Sequence, residues 1–75
     1  MIKAGQFWRL HDKPGVGGYV RVVEYDDEYE LVKWKWPWSK EIDREVTTEH
    51  FIEHHFLTTE KEFKKAFILY KLKYD

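Results

Sequence analysis

Short runs of alternating apolar and polar residues fill the first two-thirds of the chain, and a helical repeat fills the last third. Gln6 to Leu10 is aromatic-rich and predicts a first strand. His11 to Gly18, broken by one Pro and three Gly, predicts a loop. From Tyr19 to Tyr25 the residues are largely β-branched or aromatic and alternate. Val20 and Val22 fall on one face, with Tyr19, Arg21 and Val23 on the other. Asp26-Asp27 suits a tight turn, because Asp tolerates the backbone angles required. Tyr29 to Trp36 then returns as the second arm of a hairpin, until Pro37 removes a ladder donor. Glu41 to Thr47 predicts a further short strand around Ile42, Arg44 and Val46.

Beyond this strand the period changes. Thr48 is placed to cap a short turn through Phe51 and Ile52. Thr59 followed by Glu62 is a capping box. Phe63, Ala66, Phe67, Tyr70 and Tyr74 then recur at helical spacing. Ile68, Tyr70, Leu72 and Tyr74 also alternate with Leu69, Lys71 and Lys73, which is strand period. The cap and the Glu, Lys and Ala of 60–66 favour a helix over about 59–73. Ile68 and Leu72 lie on a different side of it from Phe63 and Phe67. One small sheet cannot cover both sides, so Ile68 and Leu72 are expected to meet a second copy in a homodimer.

Composition narrows the class. Apolar residues make up 43% and aromatic residues 19% of 75 residues, enough for one dense core and too apolar for a disordered chain. A single domain over 1–75 is expected, without linker or repeat. There is no Cys, so neither a disulfide nor a thiolate site supports the fold, and a reducing cytoplasm is the expected compartment. Met1 to Gly5 has no signal-like apolar run, and no stretch approaches the roughly 20 apolar residues of a membrane span.

Charge is segregated beneath a net value of -1. Residues 1–23 carry about +3, 24–30 about -5, 31–40 about +3, 41–59 about -4 and 60–75 about +2. Five carboxylates therefore crowd one predicted turn, and a strand alternating Lys with Trp follows at once. Trp34, Trp36 and Trp38 can be read in two ways. As one strand face beginning at Val32, they pack into the core. Flanked by Lys33, Lys35 and Lys40, they could stack single-stranded bases or anchor a protein. Trp38, past the proline, is expected to be the least buried of the three.

The spacing of Gly5, Phe7, Leu10, Pro14-Gly15, Gly17-Gly18 and Val20-Arg21-Val22-Val23, followed by a hairpin, resembles small SH3-like barrels of the KOW type over residues 5–57. The turn at Phe51 to Phe56 sits where such barrels place a helical turn before the last strand. The resemblance implies an α+β chain: a small SH3-like antiparallel barrel or sheet with a C-terminal helix. It also implies binding of RNA, DNA or protein segments through loops and an aromatic face. The acidic hairpin tip departs from the nucleic-acid-binding members.

Catalytic motifs are weak. His50-Phe51-Ile52-Glu53-His54 spells H-x-x-E-H, a pattern resembling inverted zinc metallopeptidases, in which two His bind zinc and the Glu is the base. Those enzymes need a third ligand, a cleft and a far larger chain. The pattern reads better as the exposed side of a turn anchored by Phe51 and Phe56, and nothing in the sequence places His11 or His55 beside it. Gly15-Val16-Gly17-Gly18 lacks the phosphate-loop pattern. Ser39, the sole serine, has no paired base. No catalytic residue, metal or cofactor is expected.

Two function classes remain. In the favoured one the chain is a non-enzymatic protein-binding inhibitor. Glu24, Asp26, Asp27, Glu28 and Glu30, with Glu41, Asp43 and Glu45, are expected to present a DNA-like negative face to a basic surface of a DNA-handling protein, with Trp38 beside it. In the alternative, the Lys/Trp strand binds nucleic acid directly. A pI near 6.4 favours the first. In size and charge pattern the chain is similar to small phage host-takeover proteins, such as the staphylococcal-phage inhibitors of the sliding clamp. That resemblance implies action in the host cytoplasm on replication or transcription, with the DNA polymerase sliding clamp as a candidate target.

Overall fold

The computed structural model describes residues 1–74. The elements run β1 (Phe7–Leu10), a 3-10 turn (Val16–Gly18), β2 (Tyr19–Asp26), β3 (Leu31–Lys35), β4 (Arg44–Thr47), α1 (Thr48–His54), β5 (His55–Thr58) and α2 (Glu60–Tyr74). The strands form one antiparallel sheet in the order β4-β3-β2-β1-β5. The chain is therefore a four-strand meander whose fifth strand, after a helical turn, returns to pair with β1. This is the α+β architecture expected, a small antiparallel sheet followed by a C-terminal helix.

The sheet is curled. β3 and β5 stand three strand spacings apart, roughly 14 Å in a flat sheet. Yet the rings of Trp34 on β3 and His55 on β5 have centroids only 6.2 Å apart. Curling closes the inward face around Ile2, Trp8, Val20, Val22, Val32, Trp34 and Phe51, all buried. Alternation supplies this set: Val20 and Val22 share one face as the pattern predicts, that face points in, and Val32 and Trp34 match them from β3. The sheet leaves a gap between β4 and β5 that α1 bridges, and Phe51 fills it with no exposed surface. Its ring lies edge-on to Trp8 at 5.2 Å.

A bulge interrupts the β2–β3 ladder between Val22 and Glu24, so Val23 has no partner residue and is exposed. Bulges sharpen the local bend of a strand, which suits the curl. Gln6 fixes the N-terminal segment. Its Oε1 accepts from the Lys3 amide (2.8 Å) and the Trp8 indole (3.1 Å), while Nε2 donates to the Met1 carbonyl (3.0 Å). Ile2 is thereby held in the core.

Local signals at the helix termini are partly shifted from expectation. The α1 cap is Thr47, whose Oγ1 accepts from the His50 amide at 3.2 Å; Thr48, expected as the cap, is the first helical residue. Two adjacent threonines offer the same chemistry, and the end of the β4 ladder decides between them. Thr59 caps α2 as predicted, accepting from the Glu62 amide at 3.1 Å. The competing strand period of residues 68–74 is overridden, and this segment is helical through Tyr74.

α2 lies against the outer side of β1 and β2 through one main anchor. Phe63 stacks on Phe7 (5.5 Å) and meets Tyr19 edge-on (5.6 Å). Farther along, α2 rests on the 3-10 turn, and its Ile68, Leu69 and Leu72 stay exposed. Among the described residues no helix is long and apolar enough to cross a membrane.

Candidate partner-binding surface

The β2–β3 turn shows why the acidic tip tolerates its own charge. Asp26 Oδ1 accepts from the amides of Glu28 (3.0 Å) and Tyr29 (3.1 Å), so this carboxylate holds the turn. Glu30 closes the turn with φ of 54°, and its carbonyl accepts from the Thr48 amide at 2.8 Å. Asp27, Glu28 and Glu30 project into solvent, and Tyr29 among them is 70% exposed.

Next to the tip, the register places Glu24 and Glu45 on either side of Lys33. Lys33 Nζ lies 3.7 Å from Glu24 and 3.8 Å from Glu45. Exposed pairs of this length contribute about 0–1 kcal/mol each. Their main effect is to seat one cation between two carboxylates. Six acidic residues (Glu24, Asp26, Asp27, Glu28, Glu30 and Glu45) thus share one end of the sheet with a single lysine between them.

The remaining predicted residues lie elsewhere. Glu41 and Asp43 belong to the β3–β4 connection, at the opposite end of a five-residue strand that spans roughly 17 Å. Asp43 is also structural: its carboxylate accepts from the Trp36 amide at 2.8 Å, and its own amide donates to the Trp34 carbonyl at 3.0 Å. Trp38 sits in this same connection. The expected single acidic face is therefore two separate features.

The tryptophan row grades from core to solvent. Val32 and Trp34 are buried, Trp36 is half-buried, and Trp38 is 50% exposed. Trp36 meets Trp34 edge-on at 4.9 Å and stacks nearly parallel on Trp38 at 5.8 Å. Lys13 Nζ stands 5.4 Å from the Trp36 ring centroid. Beyond Trp38, a cleft of about 440 Å³ opens between Val16 and Gly17 of the 3-10 turn and Phe67 and Tyr70 of α2. Sequence patterning did not bring these five residues together, because the cleft depends on how α2 crosses the loop. Tyr29, expected to open the second arm of the hairpin, lies instead in the turn, because β3 begins at Leu31.

Four histidines surround α1. His55 is buried, stacked on Phe51 at 4.2 Å, and its Nδ1 lies 2.9 Å from the Phe51 carbonyl. That contact makes Nδ1 the protonated nitrogen of the neutral ring. Nε2 is buried without a protein partner, as are Trp34 Nε1 and Thr48 Oγ1. Burial holds the His55 pKa below its usual 6.5, against the raising effect of the Phe51 carbonyl; nearby His54, His50 and His11 push the same way as burial. His50 and His54 are exposed on α1. Among the described residues, no three His, Cys, Asp or Glu side chains converge as a metal-holding group.

Fold and surface together define a small α+β domain: a curled five-stranded sheet, one acidic end, and an aromatic cleft under a C-terminal helix. Comparison with family models, curated proteins and solved structures finds no match to this chain.

Proposed function

We propose that this chain is a non-enzymatic protein-binding inhibitor whose acidic sheet end occupies a basic, DNA-binding surface of a DNA-handling protein. The carrying observation is the gathering of six carboxylates at the β2–β3 end of the sheet, two of them on Lys33. Such a surface accelerates encounter with a basic partner and repels nucleic acid. Tyr29, exposed in the same turn, supplies an aromatic contact of the kind that dominates interface energies. A phage-encoded protein acting in the host cytoplasm on a replication or transcription protein, with the sliding clamp as first candidate, fits this chemistry. The alternative, nucleic-acid binding by the Lys/Trp strand, is less favoured by the geometry. Trp34 is committed to the core, and Lys33 stands between two carboxylates. The exposed apolar side of α2, with Ile68 and Leu72, is proposed to join two copies.

The test uses purified sliding clamp and, in parallel, gel shifts with single- and double-stranded DNA. The variant reverses Asp27, Glu28 and Glu45 to Lys and leaves Asp26, whose carboxylate holds the turn. Wild-type binding that double-stranded DNA competes away, and that the triple variant loses at low salt, supports the reading for the clamp. Binding unchanged by the reversal refutes the acidic mechanism. Retention of DNA by the chain itself at moderate salt would favour the alternative. For self-association, Leu72→Glu should convert a dimer to a monomer in sedimentation equilibrium; a monomeric wild type refutes that part.

A further inference from the structure

The histidines have no part in the acidic-end reading, yet two of them are placed with some care. Thr47 caps α1, and Phe51 pins its inner side into the core with no exposed surface. These two constraints fix the rotation of the helix about its axis. His50 and His54, one turn apart, are consequently held together on the solvent side, with ring centroids 4.4 Å apart. Imidazoles at i and i+4 present two nitrogen donors to one point in space, the spacing by which helices offer a pair of ligands to zinc. Imidazole is a borderline donor that suits Zn²⁺, Ni²⁺ and Cu²⁺ and does not suit Mg²⁺ or Ca²⁺. Glu49 and Glu53, exposed on the same helix, add negative charge nearby.

We propose that His50 and His54 form a two-nitrogen chelating site for a late first-row divalent ion: Zn²⁺, Ni²⁺ or Cu²⁺. No third side chain of the described residues converges on the pair. The ion therefore completes its shell with water or with donors from outside the chain. Because the donor pair exists only when α1 is folded, the bound ion stabilises the native domain by mass action. The helix that receives this stabilisation carries Phe51, the plug between β4 and β5.

The experiment uses the full chain stripped with chelator, then titrated with ZnCl₂, NiCl₂, CuCl₂ or MgCl₂. Calorimetry should give one ion per chain, with Cu²⁺ bound most tightly and Mg²⁺ not bound. Thermal melting followed by circular dichroism should rise by several degrees at saturation. His50→Ala and His54→Ala should each weaken binding by roughly 10–100-fold or more, since a ligand matters at least as much as its outer-shell supports. Both side chains are exposed, so both variants should keep the wild-type spectrum. His11→Ala should bind as wild type, because the His11 ring rests on Phe56 at 5.2 Å. Absence of heat and of a thermal shift with all three transition ions overturns the proposal. So does binding undiminished in both His50→Ala and His54→Ala.

Discussion

Replacing His55 by Phe should flatten the acid side of the stability profile and leave the fold in place. The native ring is buried and neutral, stacked on Phe51, with its pKa lowered from 6.5 chiefly by burial. In the unfolded chain the imidazole takes up a proton near pH 6.5, while the folded one resists it. The contribution is therefore complete above that pH. It falls as the pH drops from there towards the lower folded value and levels off beneath it. One proton sets an upper bound on the slope of about 1.4 kcal/mol per pH unit. With a urea m-value of about 1 kcal/mol/M for a domain this small, the bound is a fall of roughly 1.4 M in midpoint per unit. Phenylalanine keeps the stack and removes the unpartnered Nε2. The Phe51 carbonyl retains the His55 backbone amide as donor, so the variant leaves no new buried orphan. His55→Phe should thus lie within about 1.5 kcal/mol of wild type at pH 7.5, as for a volume-tolerant swap, and the difference should move in the variant's favour as the pH falls below 6.5. Urea titrations read by tryptophan fluorescence in chelator, at half-unit steps from pH 7.5 to 5, measure both profiles. Equal slopes for the two proteins between pH 6.5 and 5.5 would refute the assignment of that loss to a buried neutral imidazole.

Further substitutions separate the other contributions. Phe63→Ala removes the ring that joins α2 to Phe7 and Tyr19 and should cost about 2–3 kcal/mol. The freed 15-residue helix is marginal alone, so loss of ellipticity at low denaturant should precede loss of tryptophan burial. Thr47→Ala should cost about 1 kcal/mol and Thr48→Ala less, by thermal melting; the reverse order would return the α1 cap to Thr48. Gly18→Ala would drive a Cβ into the Lys13 backbone carbonyl and should cost about 1–3 kcal/mol in urea titration.

Local chemistry made most of the fold legible. Alternation in Tyr19 to Tyr25 and in Tyr29 to Trp36 locates the central hairpin, observed as β2 and a shorter β3, and separates its two faces. Thr59 located the start of α2, although strand period competed over residues 68–74. What patterning left open depends on contacts distant in sequence. The choice of Thr47 over Thr48 follows from where the β4 ladder stops. Trp38, past Pro37, is the least buried as expected, but the burial of Trp34 follows from how far the curled sheet reaches along β3. Neither quantity is local.

The candidate site is legible in part: the tip carboxylates gather at one end of the sheet, and Glu41 and Asp43 do not join them. Carboxylates close in sequence look alike to charge counting, yet the backbone uses some of them. Asp26 and Asp43 stand at opposite ends of β3, and each accepts from main-chain amides. A charge used this way resists substitution for folding reasons, so its mutation cannot report on partner binding. Asp27, Glu28 and Glu45 accept no such bond among the described contacts, and their reversal changes the field with least disturbance of the backbone. Distinguishing carboxylates that build the turn from those it displays turns a run of acidic residues into an experiment that can fail.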